Sequence, residues 1–527
     1  MSPVRNILFI MADQLRWDYL SCYGHPSLQT PNIDKLADRG VSFDKAYVQS
    51  PVCGPSRASF YTGRTVFSHG ATWNQVPLPI GEYTLGDYLR PLGVRTAVVG
   101  KTHMRADEEG MARLGLNKET DIGCIISQPG FEPYERDDGL HPTPLLNRRG
   151  GVLRYNDWLR DHGYEGENPW NEYANSALGD NGEVLSGWDL RHSSLPARVK
   201  EEHSETAYMT DRAIQFIDEC GDTPWLCHLS YIKPHWPYMA PAPYNDMYGP
   251  DSFIPVHRQE QEKNNPHKVY EAFRRMEVSE SFSRDEVRET VLPGYMGLIK
   301  QIDDHVGRVI HSLEASGKMN DTMIVFTSDH GDYMGDHWMG EKELFHEVSV
   351  RVPMIIVDPR SSADATRGTR CDELVEAIDL VPTFLEATGA PSEPHRIEGR
   401  SLIPLLRGET PADWREEAFS EIDYAFYQAR EALGLGASDA RAYMLCSKRW
   451  KYIHYTGFTP QLFDLQEDPD EFNDLGCSAE HEAIRQTMKD KLFERLTSRR
   501  NRVTMRDEQV LKTRDTESMG GIVIGRW

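Results

Sequence analysis

Four short apolar runs recur along the chain, and each gives way at its carboxyl end to polar residues capable of chemistry. Asn6-Ile7-Leu8-Phe9-Ile10-Met11-Ala12 runs into Asp13-Gln14, and Arg95-Thr96-Ala97-Val98-Val99-Gly100 into Lys101-Thr102-His103. The run from Trp225 to Tyr231 leads to Lys233-Pro234-His235, and Met323-Ile324-Val325-Phe326-Thr327-Ser328 leads to Asp329-His330. Unbroken apolar stretches of this length suit strands covered on both faces, and they are too short to span a membrane. Helical patterns lie between them. Thr30 and Pro31 open one that Gly40 closes, Met209, Ala213, Phe216 and Ile217 share a face in a second, and Tyr295, Leu298, Ile302, Val306, Val309 and Leu313 do so in a third. Strand alternating with helix predicts an α/β fold with a doubly wound sheet, whose ligand crevice lies outside the carboxyl ends of the strands. The four polar groups are therefore expected at one edge.

The stretch Cys53-Gly54-Pro55-Ser56-Arg57 reads as a helix start, with Gly63 as its stop. At a helix N-terminus the free N–H groups and the macrodipole favour negative charge, so a reactive group at Cys53 would face a bound anion. A buried thiol that caps a helix is the alternative reading. Asp13, Gln14, Asp329 and His330 form an oxygen-rich set with one imidazole, suited to a single hard or borderline divalent cation.

A chain of 527 residues exceeds one ordinary core. We divide it into a catalytic domain, 1–398, with an insertion over the site at about 104–199, and a smaller α+β unit, 399–527. In the latter, Trp450-Lys451-Tyr452-Ile453-His454-Tyr455 alternates and Gln461-Leu462-Phe463-Asp464-Leu465 follows a turn, which predicts a short antiparallel sheet with a helix from about 481 to 496. The tail 501–527 carries Ile522, Val523, Ile524 and Trp527 without a core of its own, which predicts a homodimer or homotetramer. A formal charge of −24 argues against nucleic acid as a partner and requires a local cationic pocket for any anionic substrate. No apolar leader or membrane segment is seen, and the eight cysteines lack C-x-x-C spacing, which predicts reduced thiols in the cytoplasm.

Cys53-Gly54-Pro55-Ser56-Arg57 followed by Thr62-Gly63-Arg64 resembles the signature of the type I sulfatases, in which the cysteine is oxidised after translation to formylglycine (3-oxoalanine). The likeness extends from Asn6-Ile7-Leu8 through Ser328-Asp329-His330-Gly331 to Leu462-Phe463-Asp464-Leu465 and Asp468-Pro469. It is closest to the branch of the alkaline phosphatase superfamily that holds arylsulfatases and phosphonate monoester hydrolases. The resemblance implies a large mixed, mostly parallel sheet between helices. It also implies transient contact with a formylglycine-generating enzyme, and a metal held by Asp13, Gln14, Asp329 and His330 together with residue 53. Many arylsulfatases have a second Asp and an Asn where Gln14 and His330 stand, which leaves calcium and manganese both open.

By the same resemblance Arg57 and Lys101 orient the formylglycine, Lys101, Lys342 and His235 hold the anion, and Asn74 lines the pocket. Asp329 eases deprotonation of the nucleophile, His235 protonates the departing alcohol, Lys342 shares that charge, and His103 accepts the proton that allows sulfate to leave. The pair Lys101 and His103 is a sulfatase trait, whereas phosphonate hydrolases carry uncharged hydroxyl residues there, so sulfate monoesters are the expected substrates. A phosphonate monoester or phosphodiester hydrolase, a choline-sulfatase-like enzyme, and a non-catalytic anion-binding protein with unmodified Cys53 are the competing readings.

Overall fold

The computed structural model describes residues 3–74, 76–139, 153–513 and 521. In chain order its strands are β1 (Asn6–Asp13), β2 (Val41–Tyr47), β3 (Arg95–Gly100), β4 (Glu132–Arg136), β5 (Ser176–Leu178), β6 (Val184–Ser186), β7 (Trp225–Pro234), β8 (Thr322–Ser328), β9 (Arg351–Val357), β10 (Thr369–Glu376), β11 (Glu417–Asp423), β12 (Arg441–Ser447), β13 (Trp450–Tyr455) and β14 (Gln461–Asp464).

Eight of them form one sheet in the order β10-β2-β9-β8-β1-β7-β3-β4. β9 runs antiparallel to both neighbours and the remaining pairs are parallel, so the sheet is mixed and mostly parallel, as expected. The four apolar runs are the adjacent strands β8, β1, β7 and β3, which is why their carboxyl ends meet. Along β1, Ile7, Phe9 and Met11 enter one core while Leu8, Ile10 and Ala12 enter the other. Burial on both faces removes the polar alternation of a half-exposed strand and leaves an unbroken apolar run. The first core also takes Ala58, Phe60 and Tyr61 from the helix Cys53–Thr62, and the second takes Phe216 and Ile217 from Glu205–Cys220 and Ile299, Ile302 and Val306 from Asp285–Ala315.

Patterning did not yield the other four strands of this sheet. β2 contains half-buried Asp44 and Lys45, β4 carries Glu132, Glu135 and Arg136, and the first half of β10 is largely exposed. Strands toward the edges can carry such polar residues, and their hydrophobic signal fades.

The C-terminal sheet is antiparallel, in the order β11-β12-β13-β14, so it has two strands beyond those read from sequence. The helix Glu482–Thr497 covers one face, setting Met488 and Leu492 against Phe419, Leu445, Tyr452 and Leu462. The opposite face, through Ala418, Ile422, Met444 and Phe463, joins the first core of the large sheet. A short helix, Asp507–Lys512, follows, and Ile522, Val523, Ile524 and Trp527 lie outside the described residues. Among the described residues no helix is long and apolar enough to cross a membrane.

Candidate active site

Arg57 is the hub around which the strand ends are ordered. It is fully buried in the first turns of the helix Cys53–Thr62, where its Nε donates to Asp329 Oδ2 at 2.8 Å and its Nη2 to Asp13 Oδ2 at 3.1 Å. Its Nη1 donates to the Lys101 carbonyl at 2.9 Å and to Ser230 Oγ at 2.7 Å. One guanidinium thus ties β1, β3, β7 and β8 to the helix that begins at Cys53, a geometry that a lysine could not reproduce. Burial alone would raise the Asp13 carboxyl. Lys101, whose Nζ lies 2.5 Å from Asp13 Oδ2, acts with His235 and Arg57 to overcome it, and together they hold the group well below the usual carboxylate range.

Single ligand atoms of Asp13, Cys53, Asp329 and His330 all lie within 4.8 Å of one another, and all four residues are buried. Asp13 Oδ1 has no hydrogen-bond partner there, and a buried carboxylate oxygen left unpaired is an atom that a cation would satisfy. The donor set fits a divalent ion. Gln14 is poised beside it: the strand breaks register after Ala12 and Gln14 adopts φ +63°, a strained backbone for a residue with a Cβ. The Gln14 amide N–H₂ donates to Asp332 and to the Tyr238 hydroxyl, so Oε1 turns the other way and accepts from Lys342 Nζ at 3.1 Å.

The Cys53 sulfur is 3.0 Å from His330 Nε2. Burial would raise this thiol, but Lys342, Lys101 and His330 bring it well below its ordinary value. The imidazole of His330 is lowered by burial and raised more strongly by Asp329 and Cys53, reaching about 9. His103 and His235 also lie close enough to the same sulfur to interact with it electrostatically. The backbone N–H groups of Thr102 and His103 each donate to Asp138 Oδ1 at 2.9 Å, and His103 takes φ +54°. His235 Nδ1 pairs with the Trp236 carbonyl at 2.8 Å. Burial, followed by Lys101, holds His235 below its usual value. Asn74 Oδ1 accepts the Gly54 N–H at 2.7 Å, capping the helix beside Cys53. A Cβ at Gly54 would come within 2.8 Å of that oxygen and 3.0 Å of the Asn74 Cα, so glycine is required for the close approach.

Asp13, Gln14, Cys53, Arg57, Asn74, Lys101, His103, His235, Asp329, His330 and Lys342 are therefore brought together. Lys342 arrives from a loop in which Met334, His337, Trp338, Glu341 and Glu343 all take positive φ. Sequence reading passed over Ser230, Asp138, Tyr238 and Asp332, which position the others. Asp332 was in view, three residues after Asp329, and Ser230 is a polar residue inside an apolar strand. Asp138 and Tyr238 carried no comparable signal.

Residues 5–390 match the sequence model of the sulfatase family, and residues 335–498 match that of the N-sulphoglucosamine sulphohydrolase C-terminal region. The chain is 31% identical over 510 residues to the multifunctional alkaline phosphatase superfamily protein PehA of Trinickia caryophylli, covering 91% of this chain and 93% of that one. It is 28% identical over 489 residues to an arylsulfatase of Clostridium perfringens, covering 90% and 91%. Among solved structures, the phosphonate monoester hydrolase of Silicibacter pomeroyi superposes with a TM-score of 0.82 at 26% identity, covering 97% of this chain and 98% of that one.

Proposed function

The chain belongs to the sulfatase family, and from that premise we propose that it is a sulfuric ester hydrolase that cleaves sulfate monoesters of the aryl type at Cys53. The single observation that carries this reading is the clustering of Asp13, Cys53, Asp329 and His330 beneath Lys101, His103, His235 and Lys342. The Cys53 sulfur stands where the oxygens of formylglycine would be. Formylglycine supplies a geminal diol, one hydroxyl to attack sulfur and the other to release sulfate. Asp13, Gln14, Asp329 and His330 would hold a calcium or manganese ion, which neutralises anionic charge and makes a bound hydroxyl more acidic.

The remaining steps belong to the chain's own residues. Lys101 and Lys342 attract the ester anion in a protein whose overall charge is −24. Arg57 fixes Asp13 and Asp329 so that the site does not reorganise as charge shifts. His235, with Nδ1 anchored on the Trp236 carbonyl, donates a proton from Nε2 to the departing oxygen. An anion bound between the two lysines offsets the cationic charge that, after burial, holds His235 below its usual value, and so favours the protonated imidazole when substrate binds. His103, held by Asp138 and with its Nδ1 unpaired, takes the proton that frees sulfate.

A phosphonate monoester hydrolase is the second reading, favoured by the superposition on the Silicibacter enzyme, and slow turnover of phosphonate and phosphate esters accords with either. Choline-sulfatase-like activity and an unmodified anion-binding protein stand behind it. Mass spectrometry of the peptide that spans Cys53 tests the reading: loss of sulfur with gain of a carbonyl supports it, and an intact thiol in an active preparation refutes it. The reading also takes the enzyme to be a cytoplasmic homo-oligomer assembled through the tail 501–527, which light scattering of full-length and truncated chains would test.

A further inference from the structure

Resting on the reading above, we infer that the cleft outside the Cys53 centre is an aromatic subsite for the leaving group. Its ligands are flat, uncharged ring systems, and Phe426 is its specificity-determining side chain. The cleft has a volume of about 1150 Å³. Its lining includes Trp236, beside His235, and Tyr238, whose hydroxyl accepts from Gln14. It also includes Glu341, whose carboxylate is 3.0 Å from Lys342 Nζ, so the cleft adjoins the reacting centre.

Two aromatic walls line it. On one, Phe426 lies on Trp73 with ring centroids 5.2 Å apart and planes at 7°, and Tyr427 meets Trp73 edge-on at 4.6 Å. On the other, Trp188 meets Trp236 edge-on at 5.4 Å. These rings come from four separate parts of the chain: the segment after the short helix Val66–His69, the segment after β11, and the segments after β6 and β7. Phe426, a large apolar side chain, remains 54% exposed. Stacking on Trp73 covers one face of its ring and leaves the other for a ligand.

The charges in the cleft favour a neutral ring over an ammonium group. Asp189 is paired with Arg191 at 3.1 Å, Glu286 with Arg284 at 3.1 Å and Glu341 with Lys342 at 3.0 Å, while Glu277 is exposed to solvent. An aromatic pocket for a cation gains most when a buried carboxylate is left over to balance it, and of the four that line the cleft three are paired and Glu277 is open to solvent.

The test is selectivity, read as the ratio of kcat/KM for 2-naphthyl sulfate to that for phenyl sulfate, two esters that differ mainly in ring area. In Phe426→Ala and Phe426→Leu the ratio falls about 2- to 10-fold, the size of one aromatic pair. Trp188→Ala, which removes another ring of the lining, lowers it as well. Phe493→Ala, at a 66% exposed position on the helix Glu482–Thr497, leaves it unchanged. An unchanged ratio in both Phe426 variants overturns the subsite. If the full-length enzyme hydrolyses neither ester, the catalytic reading fails and the subsite is judged separately by titrating 2-naphthol against tryptophan fluorescence. Tighter binding to the wild type than to Phe426→Ala supports it, and equal binding or none to either chain overturns it.

Discussion

The sulfur of Cys53 lies 3.0 Å from Nε2 of His330, across 277 positions of sequence. Between them they span the proposed cation site, to which Asp13 contributes a buried oxygen with no hydrogen-bond partner. Dialysis against a chelator is expected to abolish turnover, and about one equivalent of calcium or manganese per chain to restore it. Asp13→Asn and His330→Ala should purify with clearly less metal. Their rates should fall by about two orders of magnitude or more, since a bound ion supplies several kcal/mol of transition-state stabilisation. Metal analysis alongside the rates decides the point: full turnover by demonstrably metal-free enzyme would sink the proposal.

Arg57 is buried between Asp13 and Asp329, and removing one partner from a buried ionic set costs about 3–5 kcal/mol. Arg57→Ala should therefore lower stability in denaturant by about that amount when chelator is present, and by less when metal is added, because a cation compensates the same carboxylates. Arg57→Lys should fall between the two, since an ammonium cannot reach all four acceptors. Wild-type stability of Arg57→Ala in chelator would show that the guanidinium does not organise the site.

The centre was legible because its residues follow strands that are readable on their own. Asp13, Lys101, His235 and Asp329 each follow an apolar run, and the four runs prove to be neighbours in one sheet. Cys53 and Arg57 were marked by their helix start and their motif. The supporting residues were less visible. Asp138 acts through backbone N–H groups, and Tyr238 acts through a hydroxyl reached across 224 positions. The aromatic cleft is assembled from four segments whose local sequences give no sign that they meet. β2, β4 and β10 were lost to the polar residues they carry, and β9 to its place behind the irregular loop that carries Lys342.

A general acid matters in proportion to the charge that builds on the leaving oxygen. His235→Ala is expected to cost little for esters of acidic phenols and about 10²- to 10⁴-fold for esters of alkyl alcohols. Plotted against leaving-group pKa, rates of the variant should fall more steeply than those of the wild type. Parallel slopes would assign the proton to another residue and leave His235 as an anion-holding group.

Lys101 and His103 meet at the Cys53 sulfur in a fold that superposes closely on a phosphonate monoester hydrolase, and the central claim is that these two side chains make the site a sulfatase. It is tested most directly by kcat/KM for an aryl sulfate and for the matching aryl phosphonate monoester, measured on one metal-replete preparation of the enzyme. The sulfate should be cleaved with the higher efficiency. A higher efficiency toward the phosphonate monoester would contradict the assignment.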